Sequence, residues 1–147
     1  ARINQLLDAL DNLRGTASDT GYREYTGRAA VHTGILYDQA CQHYGDLPYV
    51  VHTAGINDSQ TPRTPRETIV ENLLFGILAT MFGNLPLRHK AESYGSARIG
   101  RVAAYALRAR IALNWKKYDL AASSAKQALN LAKEAGFELE SINTQYC

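Results

Sequence analysis

The side chains that could support acid–base or nucleophilic catalysis are spread along the chain without a pairing pattern. An enzyme needs an acid or a base held beside a partner group in a cleft. The candidate serines lie in polar stretches that lack the Gly-x-Ser-x-Gly turn of an exposed nucleophile: Ser59, Ser93 and Ser96. The candidate carboxylates lie near predicted loops or helix starts: Asp38, Asp46, Asp58, Glu67 and Glu71.

These carboxylates also have structural roles in the predicted architecture. Asp46 suits a turn, Glu67 suits a partner position at a helix start, and Glu71 suits a solvated helix face. Asp38 lies one helical turn before Gln42. We therefore predict no catalytic residue and no enzymatic activity.

The residues that bind metals are not grouped either. A metal site needs His, Cys or carboxylate ligands at matching spacings, and the four histidines are far apart in sequence: His32, His43, His52 and His89. The two cysteines, Cys41 and Cys147, do not form a disulfide framework. The sequence predicts no metal and no cofactor.

The composition is that of an ordinary globular domain. In 147 residues, 46% are hydrophobic and 20% are charged, enough for one domain with a real core. The net charge is only +2, whereas binding to nucleic-acid phosphates favours a larger excess of basic residues. We therefore expect no nucleic-acid partner. The longest apolar run, from Leu73 to Phe82, is about half of what a bilayer crossing requires.

Trp115 is the one residue that we single out as a candidate ligand contact. It is the only tryptophan and lies at a predicted helix end beside Lys116 and Lys117. An exposed indole there could stack on a sugar ring or bury itself in a partner. The structural alternative, which we favour, is that its ring caps the helical hairpin and shields the Tyr118 contact.

Helical spacing of apolar residues and helix-breaking residues divide the chain into five predicted helices and one long irregular insertion. Thr64 is the predicted N-cap of the third helix, Pro65 its first residue and Glu67 a reciprocal partner. The predicted helices span about residues 1–13, 22–44, 65–82, 99–115 and 118–134, and the insertion spans residues 45–64. The fold class is therefore all-α, with helices two and three forming one hairpin and helices four and five another.

The second hairpin has the spacing of a tetratricopeptide repeat. Small side chains let two antiparallel helices approach closely, and aromatic rings beside them fill the remaining volume. The repeat positions are Tyr105, Ala109, Tyr118, Ala121 and Ala128. A repeat of this kind usually presents a surface to another molecule. The chain begins within a helical pattern and stops without a closing element, so we expect a piece of a longer protein, truncated at both ends.

Three segments in this order resemble the SusD/RagB family. They are a helix ending in Tyr44-Gly45-Asp46-Leu47-Pro48, a helix opened by Arg63-Thr64-Pro65-Arg66-Glu67, and Gly100-Arg101 at the start of the alanine-rich repeat. The resemblance covers about 120 of the 147 positions. This chain departs from the family at Gly27-Arg28-Ala29 and Thr33, where members commonly have Gly-Glu-Ala and a later Arg. A helix–helix ion pair of the family is therefore expected to be absent.

The resemblance implies a cell-surface protein that binds nutrients. SusD-like proteins are outer-membrane lipoproteins of Bacteroidetes that bind oligosaccharides or peptides and pass them to a SusC-like, TonB-dependent outer-membrane barrel. The implied membrane association is a lipid anchor at an N-terminal cysteine outside these residues. The family's ligand-binding aromatic residues come from segments outside this chain, so no ligand-contacting residue carries over and the ligand-binding residues stay unknown.

A second reading is a soluble tetratricopeptide adaptor that binds a protein segment in a helical groove. A plain adaptor repeat has short turns and does not need the insertion at residues 45–64. We therefore take non-catalytic nutrient binding as the main hypothesis and the adaptor as its alternative.

Overall fold

The computed structural model describes residues 2–15, 18–53, 55, 61–87 and 98–137, without the side chains of Thr80 and Met81. Across these ranges the regular elements are helical, which confirms the predicted all-α class. The sequence expectations at Asp58, Ser59, His89, Ser93, Ser96 and Cys147 lie outside the described residues. The α-helices are α1 (Arg2–Asn12), α2 (Asp19–Tyr44), α3 (Arg66–Glu71), α4 (Leu78–Met81), α5 (Arg101–Asn114) and α6 (Tyr118–Glu134).

Helix α2 begins earlier than its predicted start at residue 22. The Ser18 hydroxyl accepts a hydrogen bond from the Gly21 amide at 3.3 Å, which satisfies one of the free N–H groups of the first turn. The helix ends at Tyr44, and Gly45 adopts a φ of 72°, which glycine tolerates without a Cβ clash. Residues 19–21, which lie between the first two predicted helices, thus belong to the first turn of α2.

Helices α3 and α4 form one continuous rod with a π-helical segment between them, Asn72–Ile77, and a 3₁₀ turn after them, Phe82–Asn84. We call residues 66–84 the third rod. It runs antiparallel to α2 because early residues of α2 meet the end of the rod. A Cβ on Gly27 would lie 3.0 Å from Leu85, and one on Gly34 would lie 3.2 Å from Leu78. These glycines allow the close approach of the two helices.

The prediction that Thr64 is the N-cap of this helix was wrong. Pro65 occupies the N-cap position and makes no side-chain capping bond, and the rod begins at Arg66. Asp46 Oδ1 accepts from the Arg66 amide at 3.0 Å, so a carboxylate twenty positions earlier serves the helix start. Thr64 instead pairs with Leu47 through two backbone hydrogen bonds of 3.2 and 2.7 Å. This bridge ties together the two ends of the insertion.

Helices α5 and α6 form the second hairpin around a three-residue turn, residues 115–117. Lys116 adopts a φ of 60°, and the Lys117 amide donates to the Ala112 carbonyl at 2.8 Å. The facing surfaces carry small side chains, which let the helices pack closely. The buried residues of the pair are Ala104, Leu107, Ile111 and Ala112 on α5 and Ala121, Ser124 and Ala128 on α6.

One buried cluster joins the two hairpins. Val31 of α2, Leu74 and Leu78 of the third rod, and Leu107 and Ile111 of α5 all belong to it. A smaller cluster of Cys41, Ile69 and Leu73 lies toward the other end of α2. Because the larger cluster takes residues from both hairpins, neither hairpin has a separate main core.

Candidate functional site

Trp115 lies where the two hairpins meet. Its indole Nε1–H donates to Asp38 Oδ1 of α2 at 3.0 Å, and its half-buried ring packs against both core clusters. The Arg66 guanidinium lies 5.7 Å from the ring centroid, a cation–π distance. The indole N–H and much of the ring are therefore engaged within the chain. Ligand stacking on Trp115 stays a prediction.

Asp38 is the most buried carboxylate of the described residues, with 1% of its surface exposed. Besides the indole, it accepts a 2.8 Å hydrogen bond from Gln42 Nε2, one turn further along α2. A buried carboxylate needs such partners because leaving it unpaired is costly. Asp38 thus holds Trp115 against α2, and both of its oxygens are already occupied.

The remaining candidate carboxylates in the described residues also have partners. Glu67 Oε1 accepts from Arg66 Nε at 3.1 Å, and the pKa of Glu67 is lowered first by a backbone hydrogen bond and then by Arg66. Glu71 lies 3.4 Å from the ammonium of Lys117 on an exposed surface. Asp46 caps the third rod. Asp38, Asp46, Glu67 and Glu71 therefore each have a partner that fits a structural role.

Cys41 is fully buried, and its thiol is unreactive in this environment. Burial raises the pKa of Cys41 to about 11, so the nucleophilic thiolate is scarce at neutral pH. Among the described residues, no group of three or more His, Cys, Asp or Glu side chains could hold a metal ion. In the same ranges no helix is long and apolar enough to cross a membrane.

Two arginines of α5 bond to main-chain carbonyls of the preceding part of the chain. Arg101 donates through Nε and Nη2 to the Leu85 carbonyl at 3.1 and 2.9 Å. Arg108 Nε donates to the Leu74 carbonyl in the π-helical segment at 3.1 Å, and its guanidinium lies 5.6 Å from the Phe82 ring centroid. Burial lowers the pKa of Arg108. Arg108 therefore attaches α5 to the third rod, and Arg101 attaches it to the residue that follows the rod.

The described start of the insertion is held against α1 and α2 by polar contacts that the sequence did not indicate. The Tyr37 hydroxyl donates to the Val50 carbonyl and accepts from the Val50 amide, both at 2.8 Å. Asn4 Nδ2 donates to the same carbonyl at 3.0 Å. Asp8 Oδ2 accepts from the Thr53 amide at 2.8 Å, and hydrogen bonds from the Thr53 side chain and from this amide lower the pKa of Asp8. In the sequence, only the four-residue spacing of the polar residues Asn4 and Asp8 on α1 could have indicated these contacts.

The repeat positions divide into buried and exposed sites. Ala121 and Ala128 are buried, and Ala109 is half-buried. Tyr105 is half-buried, and its ring centroid lies 4.2 Å from that of Phe82. Tyr118 is 62% exposed, so its ring does not fill the space between α5 and α6. The shielding of Tyr118 by Trp115 was thus wrong, because the indole turns toward Asp38 instead.

At Arg28 and Thr33 of α2, where the sequence differs from the SusD/RagB pattern, the side chains make contacts within their own helix. Arg28 pairs with Glu24 one turn earlier in the same helix, and the Thr33 hydroxyl donates to the Ala29 carbonyl at 2.9 Å. These contacts lie within α2. The polar groups at these positions therefore bond inside one helix, except for Arg28 Nε, which is buried without a hydrogen-bond partner.

These elements define an all-α fold of two antiparallel helical hairpins, with an insertion whose described start is hydrogen-bonded to α1 and α2. Solved structures identify that arrangement as a SusD-like fold, which confirms the resemblance. No family model and no curated protein matches the sequence.

Three solved structures illustrate the likeness. A SusD-like protein of Bacteroides fragilis is 22% identical, with a TM-score of 0.79 over 93% of this chain and 25% of that chain. A SusD-like carbohydrate-binding protein of the same species is 17% identical, with a TM-score of 0.77 over 88% and 25%. Surface glycan-binding protein A of Bacteroides uniformis is 19% identical, with a TM-score of 0.74 over 99% and 34%. The chain thus spans about a quarter to a third of the length of these structures.

Proposed function

We propose that this chain is the helical framework of a SusD-like surface protein that binds nutrients without breaking a bond. The observation that carries the proposal is the SusD-like fold over nearly the whole chain. Two proteins with this fold are described as carbohydrate-binding or surface glycan-binding. The proposed ligand is an oligosaccharide or a peptide. Binding would use ring stacking and hydrogen bonds from positioned side chains.

The proposed partner is a SusC-like, TonB-dependent outer-membrane barrel that receives the ligand. In this proposal the protein lies at the cell surface and a lipid anchor outside these residues attaches it to the outer membrane. The framework role is supported by the rigid attachments between the hairpins: Arg101 and Arg108 each donate to a carbonyl of the preceding segment. The Asp38–Trp115 hydrogen bond adds a third such attachment.

The experiment that tests the proposal is co-purification. The parent protein would be extracted from its native outer membrane in mild detergent, and mass spectrometry would identify the proteins that accompany it. We expect a stoichiometric TonB-dependent barrel. Recovery of a soluble protein without a barrel would contradict the import role and favour the adaptor alternative.

A further inference from the structure

The third rod carries two apolar stripes in which the residues of each stripe are spaced four apart. The members of the first stripe belong to the larger core cluster: Val70, Leu74, Leu78 and Phe82. The members of the second stripe belong to the smaller cluster or pack against it: Ile69, Leu73 and Ile77. The rod therefore keeps two adjacent faces against two different clusters along most of its length.

A regular α-helix cannot hold this spacing on one face. Because it has 3.6 residues per turn, a stripe of residues four apart drifts by about 40° at each step, or by about 120° from Val70 to Phe82. A π-helical turn is closed by i→i−5 hydrogen bonds, so four residues fall short of a full turn and the drift changes sign. The π-helical segment Asn72–Ile77 thus offsets part of the drift and keeps both stripes against their clusters.

This winding removes the α-helical donor from one buried carbonyl. The Leu78 amide donates to the Leu73 carbonyl, whereas in an α-helix it would donate to that of Leu74. Leu74 is fully buried, and a buried carbonyl without a donor is unfavourable. Arg108 Nε of α5 donates to the Leu74 carbonyl at 3.1 Å. The guanidinium therefore replaces the donor that the π-helical winding takes away.

The residue that the π-helical segment holds in excess lies on the exposed face of the rod. A π-helical turn contains one residue more than the α-helical turn that it replaces. Removing one residue between Leu74 and Leu78 would change this step from four to three, and alternating steps of three and four suit an α-helical face. Gly76 is exposed, and a Cβ there would meet no atom within 4 Å. Its removal therefore opens no cavity.

We propose that the π-helical segment is a joint in the third rod and that Arg108 is the clasp that keeps this joint closed. The part of the rod before the joint contacts Trp115, because the Arg66 guanidinium lies 5.7 Å from the indole centroid and the smaller cluster packs against the same ring. Opening of the joint frees this part of the rod to move against Trp115. Helix α5 thus controls the surroundings of Trp115 from a distance, through Arg108.

The test is hydrogen exchange of the ¹⁵N-labelled protein, measured by NMR under conditions in which exchange reports local opening. Arg108→Met keeps an apolar stem but removes the donor to the Leu74 carbonyl. We expect it to speed exchange of the Leu78 amide and of the Trp115 indole N–H about tenfold, while the amides of α6 stay unchanged. Arg110→Met is the matched control, because Arg110 is exposed on the same helix.

Deletion of Gly76 distinguishes the clasp from simple packing of the arginine stem. In the shortened rod the Leu78 amide can donate to the Leu74 carbonyl, so Arg108→Met should no longer speed its exchange. Equal acceleration with and without Gly76 would overturn the proposed clasp. Equal acceleration of all amides by Arg108→Met, those of α6 included, would overturn the joint. If the deletion variant does not fold by circular dichroism, the comparison of the Leu78 and α6 amides in the undeleted chain still decides.

Discussion

The two hairpins differ in how their structure is specified. The α5–α6 hairpin is set by local spacing: small residues face each other, and a three-residue turn reverses the chain. The hairpin of α2 and the third rod depends on contacts between residues far apart in sequence. Asp46 caps a helix twenty residues later, and Asp38 accepts from an indole seventy-seven residues later. Local packing builds one hairpin, and distant polar contacts position the other.

The difference in specification does not imply two independent folding units. Ile111 of α5 and Leu74 of the third rod are both fully buried in the same cluster. We expect Ile111→Ala and Leu74→Ala each to lower the free energy of unfolding by about 2–5 kcal/mol. Urea unfolding followed by Trp115 fluorescence and by far-UV circular dichroism should give coincident transitions. Leu113→Ala, at a site 57% exposed, is the control and should have a small effect.

Separate transitions for the two signals in either variant would contradict the shared core. The two hairpins would then be subdomains that unfold separately. A loss below about 1 kcal/mol at Leu74 alone would mean that the third rod is only loosely attached to α5.

The contact between the hairpins gives the next largest effect. Trp115→Phe keeps an aromatic ring but removes the N–H group that donates to buried Asp38. An unsatisfied buried acceptor costs about 1–3 kcal/mol, and we expect a loss of stability in that range by chemical denaturation. Tyr118→Phe is the control, since Tyr118 is 62% exposed. Unchanged stability of Trp115→Phe together with weaker ligand binding would instead support the ligand role of Trp115.

A smaller effect on stability should distinguish Thr64, the predicted N-cap of the third rod, from Asp46, whose side chain caps the rod in the structure. Asp46→Ala removes the oxygen that accepts from the Arg66 amide. The loss of a cap costs about 0.5–2 kcal/mol. Thr64→Ala should cost less, because Thr64 bridges Leu47 through its backbone and the backbone stays in place. Thermal unfolding of both variants measures these losses. A larger loss of stability for Thr64→Ala than for Asp46→Ala would support the predicted N-cap at Thr64.

These contacts explain how far the sequence could predict the structure. Helix α6 spans Tyr118–Glu134, the same residues as the predicted helix, because alanines at helical spacing specify both its face and its partner. The third rod departs from its prediction because a π-helical segment is stabilised by Arg108 from another helix. No local pattern encodes such a contact.

The candidate site was less predictable than the fold. Trp115 could be selected because it is the only tryptophan, but its partner Asp38 is adjacent only once both hairpins are packed.

The smallest expected effect lies at the contact between α1 and the insertion. Hydrogen bonds from Thr53 and the nearby His52 lower the pKa of Asp8 below its ordinary value of 3.8. A carboxyl group whose pKa is lower in the folded chain stabilises that state above the unfolded pKa. This contribution decreases as the pH falls through the folded pKa. We therefore expect the Thr53 amide resonance to shift as the pH is lowered through and below 3.8.

Asp8→Asn should remove this titration while leaving the other carboxylates unaffected. Glu67 is an internal reference, because its pKa is also lowered but by contacts at the start of the third rod. If the Thr53 amide still titrates in Asp8→Asn, another group controls this end of the insertion. The insertion would then be positioned by Tyr37 and Asn4 at Val50, and α1 would contribute through its amide side chain and not through its charge.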